Sequence, residues 1–201
     1  MIPELCNKLV EALLRACEKS KAKHPGEQFY SVALFTCNEL SYFCDSFATQ
    51  EGLTNVAQEY VERAKLKGKS SNLQDEISDL RWSPCDSPYH VEFHEEFKQA
   101  EILVNELWDE IDHDDEAAYH DMHRAVYETA LAAVQKVRDA DLFDANQVVF
   151  NVLIGDQSDE ERYLNAEAIN MPASLARYRH ALKPDEAALA VLRKNRWNCD
   201  C

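Results

Sequence analysis

Residues 147–154 read QVVFNVLI, a run of apolar and β-branched residues interrupted only by Asn151 and closed by Gly155 and Asp156. It is too short for a helix core and has no polar face. That is the pattern of a strand covered on both sides, and its expected place is the centre of a sheet. Working outward, residues 29–36 (FYSVALFT) and 40–49 (LSYFCDSFAT) have the same aromatic and β-branched character on either side of Cys37-Asn38-Glu39. They read as a β-hairpin. A third, shorter strand is expected at 77–83 (ISDLRWS), ended by Pro84 and Pro88, neither of which can donate to a ladder.

The remaining segments have helical spacing. Leu5, Leu9, Ala12, Leu13 and Ala16 share one face of a helix over 4–22, which carries Lys19, Lys21 and Lys23 at its C-terminal end and stops at Pro25-Gly26. Residues 51–67 form a second helix, followed by Gly68 and a polar loop. Residues 91–111 and 116–138 form two long helices, expected to pack as an antiparallel pair. Ser158 with Glu161 is a capping box, Pro172 opens a short helix ending before Pro184, and residues 185–196 close the chain as a last helix. The order predicts an α+β protein, residues 1–201 as a single domain, with an antiparallel sheet of about four strands and helices packed mainly on one side.

The chain has 37 acidic residues against 21 Lys and Arg, a formal charge of −16. Such a field repels phosphate backbones and anionic lipid, so nucleic acid and membrane surfaces are not expected partners. No apolar stretch approaches the roughly 20 residues of a membrane span. The start, Met1-Ile2-Pro3-Glu4, lacks the charged-then-apolar build of a secretory signal, so a soluble cytoplasmic protein is expected. Seven cysteines without a CxxC pair fit reduced thiols, with Cys199 and Cys201 as exposed thiols of a tail.

The residues that could carry chemistry do not form a complete apparatus. Asp112, His113, Asp114 and Asp115, followed by His120, Asp121 and His123, could hold zinc or iron. The HExxH spacing is absent, however, and acids before a helix commonly cap it. His90 and His94 stand at i and i+4 where a loop enters a helix. Cys85 lies five residues before His90, with no identifiable orienting acid or oxyanion hole. The four glycines make no phosphate loop. No catalytic residue, metal ligand or cofactor is therefore assigned. The alternative, a metal-dependent hydrolase, would be built on His90, His94, His113, His120 and His123.

Charge distribution is the more informative feature. Between Glu92 and Asp121 twelve acids face one base, Lys98. A nearly single-signed face steers association with a basic protein. The candidate partner-binding residues are Glu106, Asp109, Glu110, Asp114 and Asp115, with Trp82 in the neighbouring RWSP loop as a further contact. Trp82 also has a packing reading: it buries a large ring while Pro84 and Pro88 fix the loop.

Residues 29–36, the stretch Ala48-Thr49-Gln50-Glu51-Gly52-Leu53, the element Leu80-Arg81-Trp82-Ser83-Pro84, and Tyr89-His90 together resemble the family catalogued as domain of unknown function 4303. QVVFNVLIGD and Ile169-Asn170-Met171-Pro172 resemble its C-terminal part. The resemblance implies a mostly bacterial protein of about this length without accepted catalytic residues. It also implies kinship in style with the small acidic α+β proteins, including the SUKH superfamily, that neutralise polymorphic toxins. Residues and resemblance together lead to an expected intracellular binding protein of the immunity or antitoxin type, neutralising a basic toxin protein through its acidic helices. A housekeeping scaffold is the non-enzymatic alternative.

Overall fold

The computed structural model describes residues 1–112 and 114–195. The first helix, α1 (Pro3–Lys23), begins with proline at its first turn, buries Leu5, Leu9, Ala12, Leu13 and Ala16, and ends at His24 with Gly26 at φ +87°. Strands β1 (Phe29–Thr36) and β2 (Phe43–Thr49) form the expected hairpin. Thr49 then caps α2 (Gln50–Leu66), its hydroxyl accepting from the Gly52 N–H at 3.0 Å.

The third strand is not at 77–83, where it was expected. Residues 77–80 form the second half of α3 (Leu73–Leu80), which is capped by Asn72, whose side chain accepts from the Asp75 N–H. Ile77 and Leu80, read as strand residues, are one helical turn apart and pack beside Leu53 and Ala57 of α2. The actual β3 is the two-residue Tyr89–His90, which pairs antiparallel with β2. A short 3₁₀ turn (His94–Phe97) leads into α4 (Lys98–Asp109), and α5 (Glu116–Arg138) follows. These two helices do not form the expected pair. Both turn their apolar stripes toward α1, which packs on each, and they meet through the rings of Trp108 and Tyr119, 5.2 Å apart.

QVVFNVLI supplies β4 (Val149–Ile154), but two details of the sheet differ from expectation. Its order is β3-β2-β1-β4, so β4 lies at an edge rather than the centre. It also runs parallel to β1, with Ser31 beside Val149 and Thr36 beside Ile154, so the sheet is mixed rather than antiparallel. The connection permits it: β4 follows β3 through the long helices α4 and α5 rather than a hairpin turn, a connection long enough to cross over the sheet and enter beside β1 in the parallel direction. Helices α6 (Asp159–Ile169), α7 (Pro172–Leu182) and α8 (Glu186–Asn195) complete the described chain.

The grouping of helices on one side holds only for the larger set. Val32, Leu34, Phe43, Phe47, Phe150 and Val152 meet α1, α4 and α5 in the main core. On the opposite face Val149 joins Tyr163, Tyr178 and Leu189 from α6, α7 and α8, while Ala48 joins residues of α2 and α3. Both faces of β4 are thus covered, which explains its continuous apolar run at an edge. The open edge itself is satisfied by side chains. Asn170 accepts from the Phe150 N–H at 2.7 Å and donates to the Phe150 carbonyl at 2.6 Å. Asn165 donates to the Val152 carbonyl, and Gln157 accepts from the Ile154 N–H.

Asp45 ties β2 to the segment entering α4. Fully buried, it accepts from the Glu92 N–H at 3.1 Å and the Phe93 N–H at 2.9 Å, and its own carbonyl accepts from the Val91 N–H. Burial pushes its carboxyl above the ordinary value, opposed by the N–H groups of Phe93 and Glu92. A raised folded-state value means that the folded form holds the proton longer than the unfolded chain, so ionisation costs stability as pH rises through the window above about 3.9. Wild type is expected to lose stability relative to Asp45→Asn across that window, which urea unfolding at a series of pH values will measure; equal pH slopes would refute it. Among the described residues, no helix is long and apolar enough to cross a membrane.

Candidate functional site

The twelve-acid run divides into two parts with different surroundings. At its start, α1 supplies the counter-charges: Lys23 and His24 meet Glu92, and Arg15 and Lys19 meet Glu96. The Lys19 ammonium and then the Arg15 guanidinium hold the Glu96 carboxyl below the usual range. Glu101 lies 3.6 Å from the His94 ring. From Glu106 to Asp115 neutralisation stops, resuming with Glu116 beside His120 and Asp121 beside Arg124. Glu106, Asp109, Glu110, Asp112, Asp114 and Asp115 are all exposed, and none has a cationic partner within 4 Å among the described residues. Together they form an uncompensated acidic tip where α4 ends and α5 begins.

Not every acid of the tip requires a partner to explain it. Asp115 is the N-cap of α5, accepting from the Ala118 N–H at 3.1 Å, and Asp112 accepts from the Asp114 N–H. Negative charge at a helix N-terminus is favourable. Asp115→Ala is therefore expected to cost about 1 kcal/mol in thermal or urea unfolding. Glu106, Asp109 and Glu110 are in the opposite situation. They crowd the C-terminal end of α4, whose last turn has no basic residue, and there the helix dipole disfavours them.

Trp82 belongs to a different region. The half-buried ring stands edge-on to Tyr30 (5.2 Å) and to Tyr178 (4.6 Å), joining β1 to α7. Arg81 lies over the Tyr30 ring at 5.0 Å and donates to Gln50, while the Tyr30 hydroxyl donates to the Arg81 carbonyl. Ser83 donates to Asp86, and the Ser87 hydroxyl to the Phe47 carbonyl. Pro88 presses on α2 so closely that a Cβ at Gly52 would lie 2.7 Å from the Pro88 Cβ, which accounts for glycine at that place. The RWSP loop thus clamps α2, β1 and α7 together. Trp82→Ala is expected to lower stability by about 2–4 kcal/mol, read as a shift in the urea midpoint. The acidic tip and Trp82 are not brought together. The tip is at the start of α5 and the Trp82 loop borders the segment following its end, so the 23 residues of that helix lie between them.

The histidines disperse in the same way. His90 stands edge-on to Phe35 with Nδ1 buried and unpartnered, and burial pushes its titration below the ordinary value. His94 faces Glu101, His120 faces Glu116, and a His123 ring nitrogen lies 2.9 Å from the Asn38 carbonyl. Among the described residues, no three His, Cys, Asp or Glu side chains converge as metal ligands. His113, Cys199 and Cys201 lie outside those residues, as does Arg196 at the expected end of the last helix. Cys6, Cys17 and Cys44 are buried, and burial pushes the Cys44 thiol up to about 12 and Cys17 higher still. Cys85 is exposed, with no hydrogen bond to His90 among the described residues.

The sequence reading missed a cavity of about 1110 Å³ beside the Trp82 loop, lined by residues from α1, β1, α2, α7 and the segment before β4. Its wall includes Lys21, Tyr30, Arg81, Trp82, Phe143 and Arg177. The residues come from five separate stretches, and no local motif links them.

Comparison with known proteins places a family model, domain of unknown function (DUF4303), on residues 9–171. That span runs from within α1 through β4 and α6 and includes the RWSP loop. No curated protein and no solved structure matches the chain.

Proposed function

The chain belongs to the DUF4303 family, and we propose that it acts by binding a basic protein through its acidic tip, as a cytoplasmic protein of the immunity or antitoxin type. One observation supports this reading above the others: Glu106, Asp109 and Glu110 are exposed, unpaired with any cation among the described residues, and placed where the α4 dipole makes them unfavourable. A solvated face with no other task would be expected to mix both signs, as the neighbouring Glu92–Glu96 region does through Lys19, Lys23 and Arg15. Acids that cost the isolated fold stability are accounted for by a partner that supplies the missing positive charge. Five described cysteines without disulfides, Cys85 among them at the surface, fit a reducing compartment.

The test is a comparison made in source cells. Wild type and the triple variant Glu106→Lys, Asp109→Lys, Glu110→Lys are purified in parallel and their associated proteins identified. A basic protein retained by wild type and lost from the variant is the expected result. Equal retention by both would remove the tip from the function.

A further inference from the structure

The cavity beside Trp82 has an electrostatic character opposite to that of the molecule around it. Of the nine described arginines, seven lie within 4 Å of a carboxylate: Arg15, Arg63, Arg124, Arg138, Arg162, Arg179 and Arg193. Arg81 and Arg177 do not, and both line the cavity. In a chain with 37 acids, many of them without a cation nearby, carboxylate partners were available elsewhere in abundance.

What holds these two arginines is neutral. Arg81 donates to the Gln50 side-chain oxygen at 2.9 Å, and Arg177 donates to the Asn146 carbonyl. Each guanidinium has five N–H donors, and these bonds use one apiece. Lys21, a third cation of the wall, donates to the Leu142 carbonyl and lies 5.1 Å from the centre of the Phe143 ring. Two acids share the lining, but both are already engaged. Glu27 accepts from the Thr49 and Tyr89 hydroxyls, and Asp144 accepts from the Asn146 N–H. Tyr30, Trp82 and Phe143 add flat apolar walls. The Trp82 Nε1 is buried without a hydrogen-bond partner in the described protein.

Guanidinium forks recognise carboxylate and phosphate oxygens in pairs, and aromatic walls take flat apolar bodies. The volume is slightly above the usual range of ligand cavities, with room for a ring and an anionic group together. We propose that this cavity binds a small organic anion, a carboxylate or phosphate carried on a flat ring, with Arg81 and Arg177 holding the anionic group and Tyr30, Trp82 and Phe143 receiving the ring. The reading is independent of the acidic tip, because it concerns other residues and needs no protein partner.

Calorimetric titration of the full chain at fixed ionic strength tests it with three probes: adenosine 5′-monophosphate, 4-hydroxybenzoate and inorganic phosphate. Binding of at least one ring-bearing probe with a Kd below 1 mM is expected, and more weakly for phosphate alone. Preference between the first two identifies a phosphorylated or a carboxylated ligand. Arg177→Gln, on the exposed face of α7, and Arg81→Gln should each weaken binding by at least about 10-fold, as loss of charge-assisted hydrogen bonds does. Should Arg81→Gln fail to fold, Arg177→Gln decides the matter alone. Absence of binding by both ring-bearing probes, phosphate binding as tightly as either of them, or affinities unchanged in the folded variants would overturn the proposal.

Discussion

Asn170→Ala is expected to lower the unfolding free energy by about 2–5 kcal/mol and to make the protein aggregate. The side chain stands in for a neighbouring strand: its oxygen takes the Phe150 N–H, and its nitrogen donates to the Phe150 carbonyl and to the Ala166 carbonyl. Removing it leaves both backbone groups of a fully buried residue unpaired. An orphaned buried group costs about 1–3 kcal/mol, well above the modest net value of a hydrogen bond that water can replace. The kinetic consequence is larger. With Asn170 gone, an apolar edge strand presents free donors and acceptors, the arrangement that recruits further strands. Urea unfolding and light scattering at 37 °C measure the two effects. Asn170→Asp, which keeps the acceptor and loses the donor, should fall between wild type and alanine. An alanine variant with wild-type midpoint and no scattering would show that the edge does not depend on this residue.

The second large effect concerns rate, and its sign separates two explanations of the tip. Lysine at positions 106, 109 and 110 should raise the melting temperature slightly, because three charges disfavoured by the α4 dipole become favourable ones and the repulsion among six neighbouring carboxylates falls. Association with the proposed basic partner should slow by about 10–100-fold at low salt, within the range that steering contributes. The difference should shrink as ionic strength rises, since the Debye length is about 10 Å at 0.1 M and shortens from there. Stopped-flow mixing at two salt concentrations gives both numbers. A variant that associates at the wild-type rate and shows no salt dependence would place binding on another surface. A variant that melts well below wild type would mean the acids are structural.

How far the sequence carries depends on whether the deciding interaction is local. Helix α1 and the capping box of α6 were legible because their causes lie within a few residues: a repeating apolar stripe, and Ser158 bonded to Glu161 in both directions. The hairpin was legible for the same reason. The direction of β4 was not, because Val149 shows nothing of Ser31, its neighbour across the sheet. Its central position was inferred from burial, yet the two asparagines of α6 and the turn after it cover an edge as well as another strand would. Residues 77–83 misled because Pro84 and Pro88 mark an end that suits a strand as well as a helix, while the i, i+3 spacing of Ile77 and Leu80 is one turn of α3. Among the site residues, the acidic run was visible by composition. That Lys19, Lys23 and Arg15 neutralise only Glu92, Glu95 and Glu96 depends on where α1 packs. The cavity arginines could not be singled out at all, since what distinguishes Arg81 and Arg177 is the carboxylate that no fold brings to them.

The parallel neighbours β1 and β4 also impose an order of events during synthesis. A ribosome emits the β1–β2 hairpin long before Val149 exists, so for most of translation the outer edge of β1 has no strand to pair with. Closing it demands contact between segments far apart in the chain, the slow kind of step in folding. Asn165 and Asn170, which seal the finished sheet, emerge later still. The nascent chain is therefore most exposed to misassociation while α4 and α5 are being made. Those are the helices that carry its densest negative charge, which repels neighbouring nascent chains from the moment they emerge, before the sheet is closed.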